Sequence, residues 1–161
     1  MIVSEKTLKW ALCFYPPLFF QRIWVQRFHP GFRGVDVKIN KSLFNKNYNG
    51  SIFGGTIYAA TDPFFALLFD QLLQRQGFKT RVWLKSASIQ YLKPGRSALY
   101  FTIKINDDML KEAIETLNRG GKFVKAYPME ITDGSGQVRA TVMNEVYIRN
   151  LHSGERGPVA Y

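Results

Sequence analysis

The residues best suited to chemistry lie in one stretch, 47–62, which reads N-Y-N-G-S-I-F-G-G-T-I-Y-A-A-T-D. Gly54 and Gly55 open a long apolar segment, and a pair of glycines lets a substrate approach the backbone closely. If that segment is a helix, its first N–H groups have no internal acceptor and lie at the positive end of the helix dipole. A substrate carbonyl directed at them would gain about 3 kcal/mol of oxyanion-type stabilisation per donor. The stretch is therefore suited to acyl transfer.

Asp62 at the end of this stretch has two interpretations. Followed by Pro63, it is typical of a helix opening, with the carboxylate as N-cap and the proline in the first turn. The other interpretation is a carboxylate that activates water or attacks a carbonyl. Both hold if Pro63 kinks the helix and leaves Asp62 exposed at the kink. Asn47 is likewise either a binding group or a residue that satisfies the backbone of its own loop.

Composition excludes several other kinds of site. Cys13 is the only cysteine, so the chain has no intrachain disulfide and no thiolate metal cluster. His29 and His152 are the only histidines, too few for the usual zinc or iron sites, and we expect no metal and no cofactor. The 22 basic residues against 12 acidic ones indicate an anionic partner. Because the basic residues are scattered and no nucleic-acid motif is present, we do not expect that partner to be nucleic acid.

The elements that position the stretch follow from hydrophobic periodicity. Apolar residues cover nearly every side of residues 56–76, which predicts a buried helix that ends at Gly77. A second, short helix is predicted to begin at Asp107 as its cap. Alternation predicts strands at 22–28, 34–39, 80–91, 96–105, 122–132 and 138–149. Because one apolar helix and one sheet must bury their faces on each other, we predict an α+β fold, a curved antiparallel sheet wrapped around a central helix.

The ends of the chain flank this domain. Residues 4–15 form a predicted amphipathic helix, capped by Ser4 and stopped by two prolines, and a position on a membrane surface is its alternative. The apolar run there is too short for a spanning helix and lacks a signal-peptide cleavage site, so we expect a cytoplasmic protein. We predict one domain at 1–150 and a flexible tail at 151–161.

Several motifs resemble a known group of proteins. The pattern N-x-x-G-x-x-F-G-G at 47–55, with Asp62 nine positions after Phe53, resembles the N-x-x-G-x-x-H-G-G pattern of hotdog-fold acyl-CoA thioesterases of the phenylacetate type. The whole of 45–63 is closer still to the thioesterase-like hotdog family DUF4442. Further matches are Y-P-P at 15–17, K-S-A-S-I at 85–89, K-P-G-R at 93–96 and D-x-x-G at 133–136. The resemblance spans nearly the whole chain and implies the hotdog fold.

The resemblance also implies an activity and roles for individual residues. The implied activity is hydrolysis of an acyl-CoA or acyl-carrier thioester by a homodimer or higher homo-oligomer. The Gly55 N–H would stabilise the oxyanion, Asp62 would activate water or attack the carbonyl, and Asn47 would hold the carbonyl or the water. Phe53 stands where the pattern has histidine. A non-catalytic protein that binds acyl-CoA or an acyl-carrier protein is therefore the alternative function.

A further set of residues are candidates for substrate contact, each with a structural alternative. The candidates for the pocket are Gly50, Phe53, Gly54, Lys85, Ser86 and Ser88. A turn would account for Gly50, an edge-strand position for Lys85, and solvent exposure for the two serines. The candidates for coenzyme A phosphates, which are otherwise part of a solvated surface, are Lys93, Arg96, Lys122 and Lys125.

Overall fold

The structure is a computed structural model that describes residues 2–151. The tail predicted at 151–161 therefore lies, apart from its first residue, outside the described residues. In chain order the elements are α1 (Glu5–Phe14), α2 (Pro16–Phe20), β1 (Ile23–Phe28), β2 (Gly34–Ile39), α3 (Gly54–Ala59), α4 (Pro63–Arg75), β3 (Thr80–Tyr91), β4 (Leu99–Lys104), α5 (Asp107–Asn118), β5 (Phe123–Asp133) and β6 (Val138–Asn150). One 3₁₀ turn (Pro30–Phe32) joins β1 to β2.

The strands form one six-stranded antiparallel sheet in the order β1-β2-β4-β5-β6-β3, which confirms the predicted α+β class. β2 and β4 pair along their whole length. β4 and β5 pair only at one end, where Leu99 and Tyr100 meet Asp133 and Thr132. The sheet is therefore open between these two strands further along. Pro128 pairs with Met143 of β6 but lies in the part of β5 without a β4 partner, which fits the edge position that its sequence suggests.

The core lies between the sheet and the helical segment α3–α4. Alternate residues of β2 and β4, such as Val37 and Phe101, are buried, while their neighbours along each strand are less buried or exposed. Aromatic rings join the helix to the sheet: Phe64 meets Phe101 at a centroid distance of 5.8 Å. Phe65 stacks on Tyr127 at 5.3 Å. The central helix is thus held by its apolar surface, but Tyr58 and Arg75 are exposed, so its burial is less complete than the sequence predicts.

Three local features differ from the sequence prediction. The central helix begins at Gly54 rather than at residue 56, and it is interrupted between Ala59 and Pro63. The break follows from Pro63, which has no N–H to continue the hydrogen-bond ladder. The cap of α5 is Asn106, whose Oδ1 accepts the Met109 N–H at 2.8 Å. The prolines that end α1 also start a second short helix, α2, because proline is favourable in a first turn.

The two edges of the sheet are not equivalent. β1 is covered by α1, from which Lys9 Nζ donates to the Gln26 carbonyl at 2.7 Å and Cys13 Sγ to the Val25 carbonyl at 3.7 Å. Among residues 2–151, β3 pairs only with β6, and α4 packs against it without adding a further strand. A bulge in β3 makes Lys85 the extra residue between the Leu84 and Ser86 pairs. Within residues 2–151, no helix is long and apolar enough to cross a membrane.

Candidate active site

The loop that leads into the central helix is closed by its own side chains. Asn47 Oδ1 accepts the Ser51 N–H at 3.1 Å, and Asn47 Nδ2 lies 3.0 Å from Ser51 Oγ. Gly50 has a φ of +74°, a turn conformation that favours glycine. The buried Asn45 anchors the loop, because its backbone carbonyl accepts the Phe53 N–H at 2.7 Å. The loop interpretation of Asn47 and Gly50 therefore has direct structural support.

The start of α3 leaves two donors free. The N–H groups of Gly54 and Gly55 find no acceptor among the described residues, as expected for the first turn of a helix. Tyr91, at the end of β3, donates its hydroxyl to the Gly54 carbonyl at 2.8 Å, and its ring lies against the Gly54 Cα. A side chain at Gly55 would overlap the Phe53 ring. Glycine at both positions thus keeps the two N–H groups accessible.

A cleft of about 270 Å³ opens beside these glycines. Its lining residues are Asn47, Ser51, Ile52, Gly54, Ile57, Tyr91, Leu92, Lys93, Pro94 and Gly95. The walls are the closed loop, the first turn of α3 and the end of β3 with the turn that follows it. Those walls are held together by the Ile52 N–H, which donates to the Gly95 carbonyl at 2.9 Å. Lys93 provides the cationic group in this lining.

Asp62 is exposed at the break between α3 and α4. Its side chain makes no cap hydrogen bond, and it has no hydrogen-bond or ion-pair partner among residues 2–151. Partial desolvation by its surroundings raises the pKa of the Asp62 carboxyl above its ordinary value of 3.8. A carboxylate that caps nothing and is disfavoured in its charged form is poorly explained by a structural role.

Asp62 and the cleft are separate within one chain. Asp62 follows Gly55 by seven positions of largely helical backbone, which corresponds to a rise of about 10 Å along the axis. Two helical turns bring the two residues to nearly the same side of the helix. Asp62 and Gly55 are both absent from the cleft lining, whereas Asn47 and Gly54 are part of it. A carbonyl bound at the Gly55 N–H is therefore out of reach of the Asp62 carboxylate of the same chain.

Comparison with known proteins identifies the family. A family model described as a domain of unknown function, DUF4442, matches residues 4–148. The chain belongs to this DUF4442 family. A comparison with curated proteins finds no sequence match.

Solved structures with low sequence identity share the fold of this DUF4442 chain. A protein of unknown function and probable thioesterase from Pseudomonas aeruginosa aligns with a TM-score of 0.75 at 15% identity, over 93% of this chain and 98% of its own. A thioesterase from Haemophilus influenzae gives 0.69 at 13% identity, over 98% and 97%. The E. coli PaaI protein from the phenylacetic acid degradation operon gives 0.61 at 15% identity, over 92% and 96%. These likenesses confirm the predicted hotdog fold.

The predicted substrate residues of β3 are not in the cleft of the DUF4442 chain. Glu145 on β6 binds both Lys85 Nζ at 3.0 Å and Ser86 Oγ at 3.1 Å. Hydrogen bonds from these two groups lower the pKa of the Glu145 carboxyl. Ser88 lines a different surface groove, formed with β5 and β6. Lys85, Ser86 and Ser88 all lie on the edge strand β3, outside the cleft of the single chain.

Two residues that support the site, Asn144 and Tyr91, belong to no sequence motif. Asn144 on β6 is fully buried, and its Nδ2 donates to the Thr61 carbonyl at 3.1 Å, next to Asp62. It thus ties the helix break of the DUF4442 chain to the sheet. Tyr91 is the other, since it binds Gly54 from 37 residues away. Neither contact has a sequence signal, because both join positions that are distant along the chain.

A metal site is not found in the described part of the DUF4442 chain. No group of three or more His, Cys, Asp or Glu side chains within residues 2–151 could hold a metal ion. His29 lies 3.1 Å from Asp36, whose carboxylate also binds Arg27 and Thr102. His152 falls outside the described residues.

Proposed function

We propose that the chain hydrolyses an acyl thioester of the acyl-CoA class with Gly55 and Asp62, while Asn47 closes the loop that lines the cleft. The free Gly55 N–H would bind the thioester oxygen and stabilise the negative charge that develops there. Asp62 would take a proton from a water molecule as its oxygen attacks the carbonyl carbon. The C–S bond then breaks, the thiolate leaves, and the proton held by Asp62 passes to the sulfur. The observation that supports this best is that two polar groups have no hydrogen-bond partner among residues 2–151. They are the Gly55 N–H in the first turn of α3 and the Asp62 carboxylate just before α4.

A complete site would require two copies of the chain. The rise of about 10 Å between Gly55 and Asp62 separates the oxyanion donor from the base in one chain. We infer that Asp62 of a second copy faces the cleft of the first. The free edge of β3, a strand of 12 residues, supports a pairing of this kind, because an uncovered strand readily binds another strand. The same pairing would bring Lys85, Ser86 and Ser88 close to the partner.

The experiment that tests the activity is a panel of acyl-CoAs of increasing acyl length, with release of free thiol as the readout. We expect turnover of at least one member by the wild-type protein and loss of that turnover in Asp62→Ala. Circular dichroism should show the same fold for both. Equal rates for the two proteins would refute the role of Asp62, and a folded wild type that releases no thiol from any member would refute the hydrolase proposal.

The two-copy site has its own test. We expect Asp62→Ala and Gly55→Val each to be inactive, since one lacks the base and the other covers the oxyanion N–H. When the two variants are mixed and allowed to exchange subunits, half of the dimers are mixed, and each has one intact site out of two. Recovery of about a quarter of the wild-type rate is the expected result. No recovery after verified exchange, or a monomeric wild type in light scattering, would refute the shared site.

A second candidate function is binding of acyl-CoA or an acyl-carrier protein without turnover. Two observations favour it. The Asn47 amide is engaged by Ser51, so it is not free to hold a water molecule in the single chain. Phe53 places an apolar ring beside Gly55, where the resembling thioesterase pattern has histidine. This function predicts that acyl-CoAs raise the melting temperature while no thiol is released; no shift with any acyl length would refute it.

A further inference from the structure

The N-terminal part of the chain exposes an unusual set of large apolar side chains. Five of them lie on α1, on α2 and in the loop after β2, and each is at least half exposed: Trp10, Phe14, Phe20, Leu43 and Phe44. We refer to these five as the aromatic surface. Single exposed apolar residues are normal on a soluble domain, but a group of this size indicates a binding surface.

The part of the aromatic surface on α1 faces away from the core. Cys13 is the buried residue of the helix and faces β1. Trp10 and Phe14 are one helical turn apart and exposed, with stacked rings at a centroid distance of 6.0 Å. Lys9 Nζ lies 5.4 Å from the Trp10 ring. A helix that only covers a sheet would present polar residues to solvent, so its outer aromatic pair calls for a partner.

Arg22 connects the part of the aromatic surface on α2 to the part in the loop after β2. The Arg22 guanidinium lies 5.6 Å from the Phe19 ring and 5.0 Å from the Phe44 ring. Phe19 in turn contacts the exposed Phe20 at 5.5 Å. Asn45 fixes the loop against the end of α2, because its Nδ2 donates to the Gln21 carbonyl at 2.7 Å. Aromatic rings and a cation are therefore presented together.

The N-terminal part of the chain has a net positive charge. Residues 1–48 contain eight lysines and arginines against two acidic residues, Glu5 and Asp36. Glu5 accepts the Gly31 N–H at 3.0 Å, and Asp36 is paired with Arg27 and His29. Basic residues of the same region with no ion-pair partner among residues 2–151 are Lys6, Lys9, Arg22, Lys38, Lys41 and Lys46. Of these, Lys9 lies against Trp10 and Arg22 lies against Phe44, so unpaired cations border the aromatic surface.

We propose that the aromatic surface docks on an anionic membrane. Tryptophan and phenylalanine partition into the boundary between headgroups and acyl chains, while neighbouring lysines and arginines are attracted to acidic lipids. A second copy of the chain fits less well, because a two-fold contact would bring this positive region against itself. Docking places the protein at the surface where amphiphilic molecules with long acyl chains concentrate.

The test is sedimentation of the full chain with lipid vesicles. One set contains phosphatidylcholine alone, and the other also contains anionic phosphatidylglycerol. We expect binding to the anionic vesicles, weaker binding to the neutral ones, and release from the anionic vesicles at high salt. The variant Phe14→Ser/Phe20→Ser should bind the anionic vesicles about tenfold more weakly, since two apolar anchors are removed.

A matched control tests whether the loss of binding is specific to the aromatic surface or follows from the loss of any two exposed apolar side chains. Val124→Ser/Met143→Ser also removes two exposed apolar side chains, but from β5 and β6, and its binding should equal that of the wild type. Light scattering should show the same oligomeric state for all three proteins. Absence of binding to anionic vesicles, or equal binding by both double variants, would overturn the proposal. A change of oligomeric state in Phe14→Ser/Phe20→Ser alone would overturn it in favour of a contact between copies.

The proposal is independent of the hydrolase proposal. Phe14 and Phe20 are outside the cleft, so thiol release from a soluble acyl-CoA without lipid should be unchanged in Phe14→Ser/Phe20→Ser. Vesicle binding should conversely persist in Asp62→Ala. The two results can therefore fail separately.

Discussion

Replacement of Asp62 by asparagine separates a functional carboxylate from a structural one. In the proposed mechanism the change removes the general base, which corresponds to a loss of about 10²–10⁴ in kcat/KM. That range is equivalent to about 3–5 kcal/mol of activation free energy. Stability should not fall, because the side chain makes no cap hydrogen bond and has no ion-pair partner among residues 2–151. We therefore expect a folded protein with little activity.

The pH dependence of stability follows from the direction of the pKa shift. Desolvation raises the pKa of Asp62 in the folded protein above 3.8, so the ionised form is disfavoured by folding. Below pH 3.8 the carboxyl is protonated in both states and the shift has no effect. As pH rises through the folded pKa, the wild type loses stability that Asp62→Asn retains. Melting temperatures should therefore agree at acid pH, and the variant should be equal to or above the wild type at neutral pH.

Asp70 on the same helix provides the matched control. Its carboxylate accepts Gln74 Nε2 at 2.6 Å and Thr80 Oγ1 at 3.1 Å, so it has a structural role that Asp62 lacks. Asp70→Asn should cost about 1 kcal/mol of stability, since one donor loses its acceptor, and should keep its activity. The assays are thiol release and thermal unfolding followed by circular dichroism. An Asp62→Asn protein that unfolds at a lower temperature at neutral pH, with activity intact, would refute the reasoning.

Three further predictions concern the supports of the site and the fold. Asn144→Ala should lower the free energy of unfolding by about 2 kcal/mol, because the buried Thr61 carbonyl loses its donor, and an unchanged denaturation midpoint would contradict this. Tyr91→Phe should cost at most about 1 kcal/mol, since the hydroxyl that binds Gly54 is partly exposed; a larger loss in urea titration would indicate another role for the ring. Hydrogen bonds from Ser135 and Arg139 lower the pKa of Asp133, so the stability they provide should be lost as pH falls below the ordinary value of 3.8. Asp133→Asn should be less stable than the wild type at neutral pH, and the gap should narrow in acid; a gap independent of pH would show that the carboxylate charge is not the cause.

The strands and the central helix could be predicted because their signals are local. Alternation along β2 and β4 reports directly which side chains are buried, and continuous apolar character over 56–76 reports a helix that is buried over most of its circumference. The free N–H groups at the start of the central helix were predictable for the same reason. Gly54 and Gly55 are neighbours in sequence, and the start of a helix leaves their N–H groups free wherever that helix packs.

The roles of other residues depend on contacts between distant parts of the chain. The bulge that makes Lys85 an extra residue exists only because β6 pairs along β3, and Glu145 then binds its ammonium group. The same holds for Tyr91 at Gly54, which no local pattern indicates.

For Asp62, the sequence by itself determined that a carboxylate precedes a proline within an apolar helix. Only the tertiary structure decided that this carboxylate caps nothing and lies away from the cleft that holds Asn47. The break that exposes it is held by Asn144, a fully buried side chain 83 residues away from Thr61. Local chemistry limits what a residue can do, whereas packing between distant strands and helices determines which groups it meets.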